Sequence, residues 1–233
     1  KSFINKFQIP LVYSTSAPDT YGLKNKLSIG SVGSQGCSRA GNFALQNSDL
    51  LIVLGDRYEL LAASTAALFH RITIGHIHGG ETTLGAFDEA IRHSITKMAW
   101  YHFVAAEEYQ KRVVQLGEDP LRVFNVGGLG MDAIKKAKLL PKKELTEKTG
   151  IQFGKKNLLV TYHPVTLEIN SSQKQFQVLL EILDELKDIQ LIFTMPNSDT
   201  DGRIIKDMID DFVSNHRERS IAFTSMGHLN YLS

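Results

Sequence analysis

The chain contains a single cysteine, Cys37. No intramolecular disulfide can form, and the pattern suits a reducing compartment such as the cytoplasm. Excess charge of either sign is equally scarce: 26 basic and 25 acidic residues leave a formal net charge of +1. No strong field draws the molecule to nucleic acid or to an anionic membrane, so a small acidic ligand would need a local site. Long apolar runs are missing too. None approaches the ~18 residues that cross a bilayer, and the opening KSFINKFQIP has no continuous apolar segment of signal-peptide type. These absences point to a soluble cytoplasmic protein that uses neither nucleic acid nor membrane. The first residue is Lys rather than Met, which reads as a start with residues missing upstream.

What is present is ordinary globular composition, 42% hydrophobic and 22% charged over 233 residues, enough for one large domain or two smaller ones. From residue 50 a pattern repeats. LLIVLG (50–55) is a short apolar run with a glycine exit, and RYELLAASTAALFH (57–70) has helical character. ITIGHIH (72–78) precedes DEAIRHSITKMAW (88–100), whose acidic residues stand in the first turn where the helix dipole favours them. YHFVAA then leads into EEYQKRVVQLG, and RVFNVGG into MDAIKKAKLL. Successive strand-helix units mean parallel strands with crossover helices, hence an open α/β sheet.

Between Lys135 and Lys156 the chain turns lysine-rich, with Pro141 and Gly150 and no strong core pattern, so a domain boundary is expected there. The implied domains are residues 1–140 and 150–233, although a surface helix and loop would have the same composition. Beyond it, NLLVTYHP, IQLIFTMPN and SIAFTS alternate with helical QKQFQVLLEILDELK and DGRIIKDMIDDFVSN. A doubly wound half usually has more strands, so the chain reads as incomplete at its C-terminal end as well. The first 45 residues carry little pattern, and GSVGSQG (30–36) is a GxxGxxG rather than the dinucleotide GxGxxG; a flexible loop is the better reading.

In an open parallel sheet, ligands bind beyond the carboxyl ends of the strands. The polar residues just after each apolar run are therefore the candidates: Asp56 and Arg57; His76, His78 and Glu81; the glycine-rich stretch 127–130; His163; and Asn197 with Asp199. Each has a plain alternative. Asp56 would make a good helix N-cap, His163 precedes Pro164 in what could be a loop, and Asn197 and Asp199 suit a turn. Their recurrence at one strand end after another favours function. HIHGGE (76–81) raises the sharpest question, because His76 and His78 at i and i+2 would face one side of a continuing strand, a spacing that suits zinc. No third ligand can be named from sequence. His76, nearest the strand core, reads as a buried imidazole satisfied by backbone, whereas the glycines beside His78 and Glu81 allow close approach of a ligand. With Asp88 opening the next helix, several ionisable groups gather at one crevice, as acid-base chemistry requires.

These stretches resemble a known family. LIVLGDRYELLAASTAALFHRITIGHIHGGETTLGAFDEAIRHSITKMA, EEYQKRVVQLGEDPLRVFNVGGLGMDAI, VTYHPVTLE and PNSDT together look like the hydrolysing UDP-N-acetylglucosamine 2-epimerases of sialic-acid biosynthesis, over roughly residues 45–233. The ordered set GDR, GGE, IRHSITK and HPVT is specific. The resemblance implies two Rossmann-like domains in a glycosyltransferase-B-like arrangement, with the sugar nucleotide in the cleft between them. It also implies pieces beyond this chain at both ends: a first strand with an arginine-bearing glycine loop, and a later Asn-Ser-Ser segment for the uridine diphosphate.

The reaction so implied eliminates UDP from UDP-N-acetylglucosamine to a 2-acetamidoglucal. Water then adds, releasing N-acetylmannosamine with C2 inverted. Asp56 and Asp88 correspond to the family's carboxylates, and His163 to the histidine beside the diphosphate. Arg57 would bind phosphate or orient Asp56. Arg92, Asn197 and Asp199 would complete the substrate contacts. Many relatives carry glutamate where this chain has His78, so either His78 moves the proton, being ionisable near neutrality, or Glu81 takes over. The implied protein needs no cofactor or metal, takes a UDP-sugar as its small-molecule partner and forms a homodimer or homotetramer. Three rivals remain open: the same chemistry on UDP-N,N'-diacetylbacillosamine, a non-hydrolysing epimerase, and a metal-dependent hydrolase built on HIH. A sugar-nucleotide-binding protein without turnover is a fourth.

Overall fold

A computed structural model describes residues 11–13, 27–31, 44, 47–168, 171–197 and 201–233. Cys37, Asp199 and the GxxGxxG stretch beyond Ser31 lie outside the described residues. The fold is α/β with parallel sheets, in two compact units, Lys1–Ala133 and Ile134–Ser233. Among the described residues no helix is long and apolar enough to cross a membrane.

In the first unit, β1 (Leu11–Tyr13) and β2 (Ser28–Ser31) pair in parallel by themselves. The main sheet holds β3 (Leu50–Leu54), β4 (Thr73–Ile77), β5 (Tyr101–Val104) and β6 (Val123–Asn125) in sequence order, all parallel. Helices α1 (Tyr58–Phe69), α2 (Asp88–Met98) and α3 (Glu107–Gln115) form the crossovers, and α4 (Leu129–Lys136) follows β6. Side chains alternate across a strand, so β3 sends Leu51 and Val53 to one face while Leu50, Ile52 and Leu54 lie exposed on the other. The buried pair joins Ala63 and Ala67 of α1, Ile74 of β4 and Ile95 of α2 in one core. The alanines of α1 allow that helix to approach the sheet closely. In β4 the consecutive residues Ile74, Gly75 and His76 are all buried, as expected of an inner strand flanked by β3 and β5. Val104, Val113 and Val123 seal α3 onto β5 and β6.

The second unit has β7 (Lys156–Thr161), β8 (Ile189–Thr194) and β9 (Ser220–Phe223) in parallel order. Helices α6 (Ser172–Glu185) and α7 (Gly202–Asn215) pack on β8 through Phe176, Leu180, Leu183, Ile205, Ile209 and Phe212, around Leu191 and Phe193. The short α8 (His228–Leu232) closes the described chain. The break between units falls between Ala133 and Ile134, inside α4 and just ahead of the stretch Lys135–Lys156 where composition changes. That lysine-rich stretch holds a helix of the second unit, α5 (Lys142–Thr149), ended by Gly150 at φ +75°. Its core signal is too sparse for periodicity: Leu145 and, just beyond, Ile151 are the buried apolar residues.

Candidate active site

The parallel order brings the carboxyl ends of β3, β4, β5 and β6 side by side. Gly55 leaves β3 at φ +89°, and its N–H donates to Ile77 O of β4 at 3.0 Å, so the Gly55–Asp56 turn lies against the start of HIHGGE. Asp56 is not the N-cap of α1. That position belongs to Arg57 in extended conformation, and no side chain caps it. Freed from capping, the Asp56 carboxylate accepts a short hydrogen bond from Arg92 Nη2 of α2.

Arg92 is 3% exposed and serves several acceptors at once. Nη1 donates to Glu81 O at 2.9 Å, Nη2 also donates to Thr83 Oγ1 at 2.7 Å, and Glu89 Oε2 stands 3.7 Å from Nη1. The rigid guanidinium fork thus orders Asp56 and the loop 81–83 together. Thr83 N–H donates to Glu89 Oε2 at 2.6 Å, and this bond is the largest cause holding the Glu89 carboxyl below the usual carboxylate range. Asp88 stands beside it, half-buried, as the first residue of α2. Arg57 instead turns to Glu59, with Nε 3.2 Å from Oε2. The cation paired with the Asp56 carboxylate is Arg92.

The two histidines of HIH part company. β4 ends at Ile77, and His78 adopts φ +65°, a left-handed conformation that non-glycine residues rarely hold. The expected continuing strand with both rings on one side is therefore not formed. His78 Nδ1 meets Glu81 Oε1 at 2.5 Å, and a Cβ on Gly128 would lie 4.0 Å from His78 Cε1, which sets the ring beside the glycine loop after β6. His76 is fully buried, with Nε2 2.8 Å from Gly55 O and Nδ1 3.1 Å from Thr96 Oγ1. The carbonyl can only accept, so Nε2 carries the proton and the Thr96 hydroxyl donates to Nδ1. Both His76 nitrogens are engaged by Gly55 O and Thr96, so His76 offers no free nitrogen for the zinc site that the HIH spacing suggests. Among the described residues there is no group of three or more His, Cys, Asp or Glu side chains that could hold a metal.

Burial is the main cause that lowers the His76 pKa from 6.5 to about 4. The folded state thus resists a proton that the unfolded chain accepts, so the associated stability is complete above pH 6.5 and is lost as pH falls towards 4. At about 1.4 kcal/mol per pKa unit, acidification from pH 7 to 5 should lower the unfolding free energy by about 2 kcal/mol through this residue. Urea titrations of wild type and His76→Gln check this: the variant should show the shallower pH slope, and equal slopes refute the assignment.

One glycine sets how closely the loop approaches α3. Gly80 sits at φ +78° with no room for a side chain, since a Cβ would lie 2.4 Å from Tyr109 O of α3. Its carbonyl accepts a short bond from Arg112 Nη1 of the same helix. Thr83, Glu89, Thr96 and Arg112 were not singled out from sequence; they are ordinary polar residues on loop or helix, and only packing brings them here. In the second unit, His163 and Asn197 follow β7 and β8, whose last residues Thr161 and Thr194 are paired and share a hydroxyl contact of 2.6 Å. Both are exposed at that common sheet end.

The chain is similar to several known proteins. The chain is 42% identical over 185 residues to GDP/UDP-N,N'-diacetylbacillosamine 2-epimerase (hydrolyzing) of Campylobacter jejuni, covering 79% of this chain and 48% of that protein. It is also 42% identical over 181 residues to polysialic acid biosynthesis protein P7 of Escherichia coli, covering 77% and 46%. The Legionella pneumophila UDP-N,N'-diacetylbacillosamine 2-epimerase (hydrolyzing) is 37% identical over 179 residues, covering 77% and 47%. The chain thus spans about half the length of these relatives. Among solved structures, the Neisseria meningitidis UDP-GlcNAc 2-epimerase bound to UDP-GlcNAc has a similar fold, with TM-score 0.66 at 19% identity over 85% of this chain and 58% of that one. The Methanocaldococcus jannaschii UDP-GlcNAc 2-epimerase in complex with UDP-GlcNAc and UDP gives TM-score 0.64 at 18% identity, over 98% and 62%. The sequence profile described as UDP-N-acetylglucosamine 2-epimerase matches residues 28–233, and with these relatives it establishes that the chain belongs to the UDP-N-acetylglucosamine 2-epimerase family.

Proposed function

We propose that the full-length protein is a hydrolysing 2-epimerase of a UDP-linked 2-acetamido sugar. UDP-N-acetylglucosamine would yield UDP and N-acetylmannosamine for sialic-acid or capsule biosynthesis. The observation that carries this reading is the His78–Glu81 pair at 2.5 Å, standing at the same sheet end as the Asp56–Arg92 pair. An ionised Glu81 accepts from Nδ1–H and leaves the Nε2 lone pair of His78 to take a proton. His78 and Glu81 then act as one unit in the proton transfer. A non-glycine residue held at φ +65° is the kind of local strain found at functional positions.

Two proton transfers are required. In the elimination, C2–H and the C1–O bond to UDP break and the C1=C2 bond forms. In the hydration, water supplies hydroxyl to C1, and C2 receives a proton on the opposite face. Asp56, Asp88 and the His78–Glu81 pair are the groups assigned to this traffic, with Arg92 as the cation that orients Asp56. From the second unit, His163 is assigned to the departing diphosphate, and Asn197 and Asp199 to the nucleotide sugar. Arg57, 27% exposed at its side chain and bonded to Glu59, is assigned to phosphate.

A second substrate has specific support. Two relatives at 42% and 37% identity are named for N,N'-diacetylbacillosamine, which favours a 4-acetamido sugar nucleotide. One experiment separates the readings. Full-length protein is incubated in D₂O with UDP-N-acetylglucosamine or with UDP-N,N'-diacetylbacillosamine, and the products are identified by NMR. The expected result is free 2-epimerised sugar with deuterium at C2, formed equally well in the presence of a chelator. Product that remains UDP-linked indicates the non-hydrolysing reaction. Activity abolished by chelation and restored by zinc returns the metal-dependent reading.

A further inference from the structure

The contacts of His76 do more than fill a core position. Its ring joins Gly55, the residue immediately before Asp56, to Thr96 of α2. Thr96 lies one helical turn beyond Arg92, on the same face of α2. The helix therefore holds the β3 exit at two points. Arg92 takes the Asp56 carboxylate, and Thr96, through the imidazole, takes the carbonyl of the preceding residue. Two of the relay groups are withdrawn from water, His76 and Thr96 at 0% exposed, and Gly55 is half-buried.

Gly79 supports the same reading. A Cβ at that position would lie 3.1 Å from both His76 Nδ1 and Thr96 Oγ1, the two atoms of the hydrogen bond. The first glycine of GGE thus leaves room for this bond, whereas the second, Gly80, is demanded by α3.

We propose that Thr96–His76–Gly55 is a positioning relay that sets the Asp56 carboxylate relative to α2, and hence relative to Asp88 at the start of that helix. The proposal rests on the reading of Asp56 as a reacting carboxylate. His76 touches no substrate in this arrangement and carries no proton to it. It works as a neutral linker whose two nitrogens fix the distance between a turn and a helix. Small displacements of a reacting group are costly in rate, so loosening the relay should be felt in turnover rather than in substrate affinity.

The test uses full-length protein and the sugar nucleotide that it turns over. Thr96→Val keeps the shape and removes the hydroxyl, and should lower kcat roughly tenfold or more with KM within about twofold. Thr96→Ser, which restores the donor, should recover most of the loss. His76→Gln retains a donor for Gly55 O but breaks the link to Thr96, so it should resemble Thr96→Val, and the double variant should be little worse than either. Gly79→Ala, which deletes no polar group and presses on the hydrogen bond, should lower kcat in the same direction. Active wild type with kcat unchanged in Thr96→Val, or losses that multiply in the double variant, overturns the relay alone. Wild type that turns over neither UDP-sugar overturns the underlying reading of Asp56, and the relay with it.

Discussion

Replacing Arg92 with methionine should cost about 3 kcal/mol of folding stability and about 10²-fold or more in turnover. The residue is 3% exposed, and its guanidinium serves the Asp56 carboxylate, Glu81 O and Thr83 Oγ1. Methionine fills a similar volume but leaves these acceptors unpaired in a partly dry site. The stability cost stays moderate because Asp56 is 27% exposed and can recover some hydration. Turnover falls too, because Asp56 and the loop carrying Glu81 lose their common anchor. Arg92→Lys separates charge from geometry. A point charge on a flexible stem cannot reproduce the fork, so the lysine variant should regain part of the stability and little of the activity. Urea denaturation and kcat for the two variants decide it, and lysine equal to arginine would show that charge alone is needed.

Among the described residues of the first unit, Gly80→Ala should be the most damaging glycine-to-alanine change, at about 3 kcal/mol or more. Two costs add. Alanine at φ +78° carries about 1–2 kcal/mol of left-handed strain, and its Cβ would meet Tyr109 O at 2.4 Å and Val113 Cγ2 at 2.9 Å. A helix carbonyl cannot swing aside as a side-chain tip can, so α3 must shift or the HIHGGE loop must lift. Either movement breaks the bond from Arg112 to Gly80 O and disturbs the His78–Glu81 pair. Gly127→Ala is the control. Gly127 has φ +79° but no atom within 4 Å of its Cβ position, so it should show the strain alone. Thermal unfolding of the two variants should differ by several degrees. Equal melting temperatures would mean that the close approach to α3 carries no weight.

The alternation of strand and helix was legible because its signals are local. LLIVLG, ITIGHIH and IQLIFTMPN are apolar runs that cover β3, β4 and β8, and the helix following each can be recognised from its own residues. Position at a strand end was equally readable, which is why Asp56, His78, Glu81 and His163 could be singled out. The HIH reading failed for a local reason that sequence conceals. Alternation predicts both rings on one side only while the strand lasts, and it ends at Ile77. Nothing in the residue type at 78 announces φ +65°, the angle at which the chain leaves the strand while His78 N–H still donates to Phe103 O of β5. The N-cap reading of Asp56 failed to a competitor thirty-six residues away, the Arg92 guanidinium, which offers a carboxylate more than two backbone amides would.

By itself the sequence determined the α/β class, the parallel order implied by repeated crossovers, the family and the set of ionisable residues at the strand ends. Each of these follows from short-range pattern or from motifs whose spacing is written along the chain. The tertiary structure decided the partnerships: Arg92 with Asp56, Glu81 with His78, and Thr96 through His76 with Gly55. It also decided that Gly80 has no space for a side chain while Gly127 does. These depend on how close α2 and α3 come to the loops after β3 and β4. That distance is set by the packing of alanines, valines and isoleucines whose identities say only that they are buried, and not against which polar group the helix comes to rest.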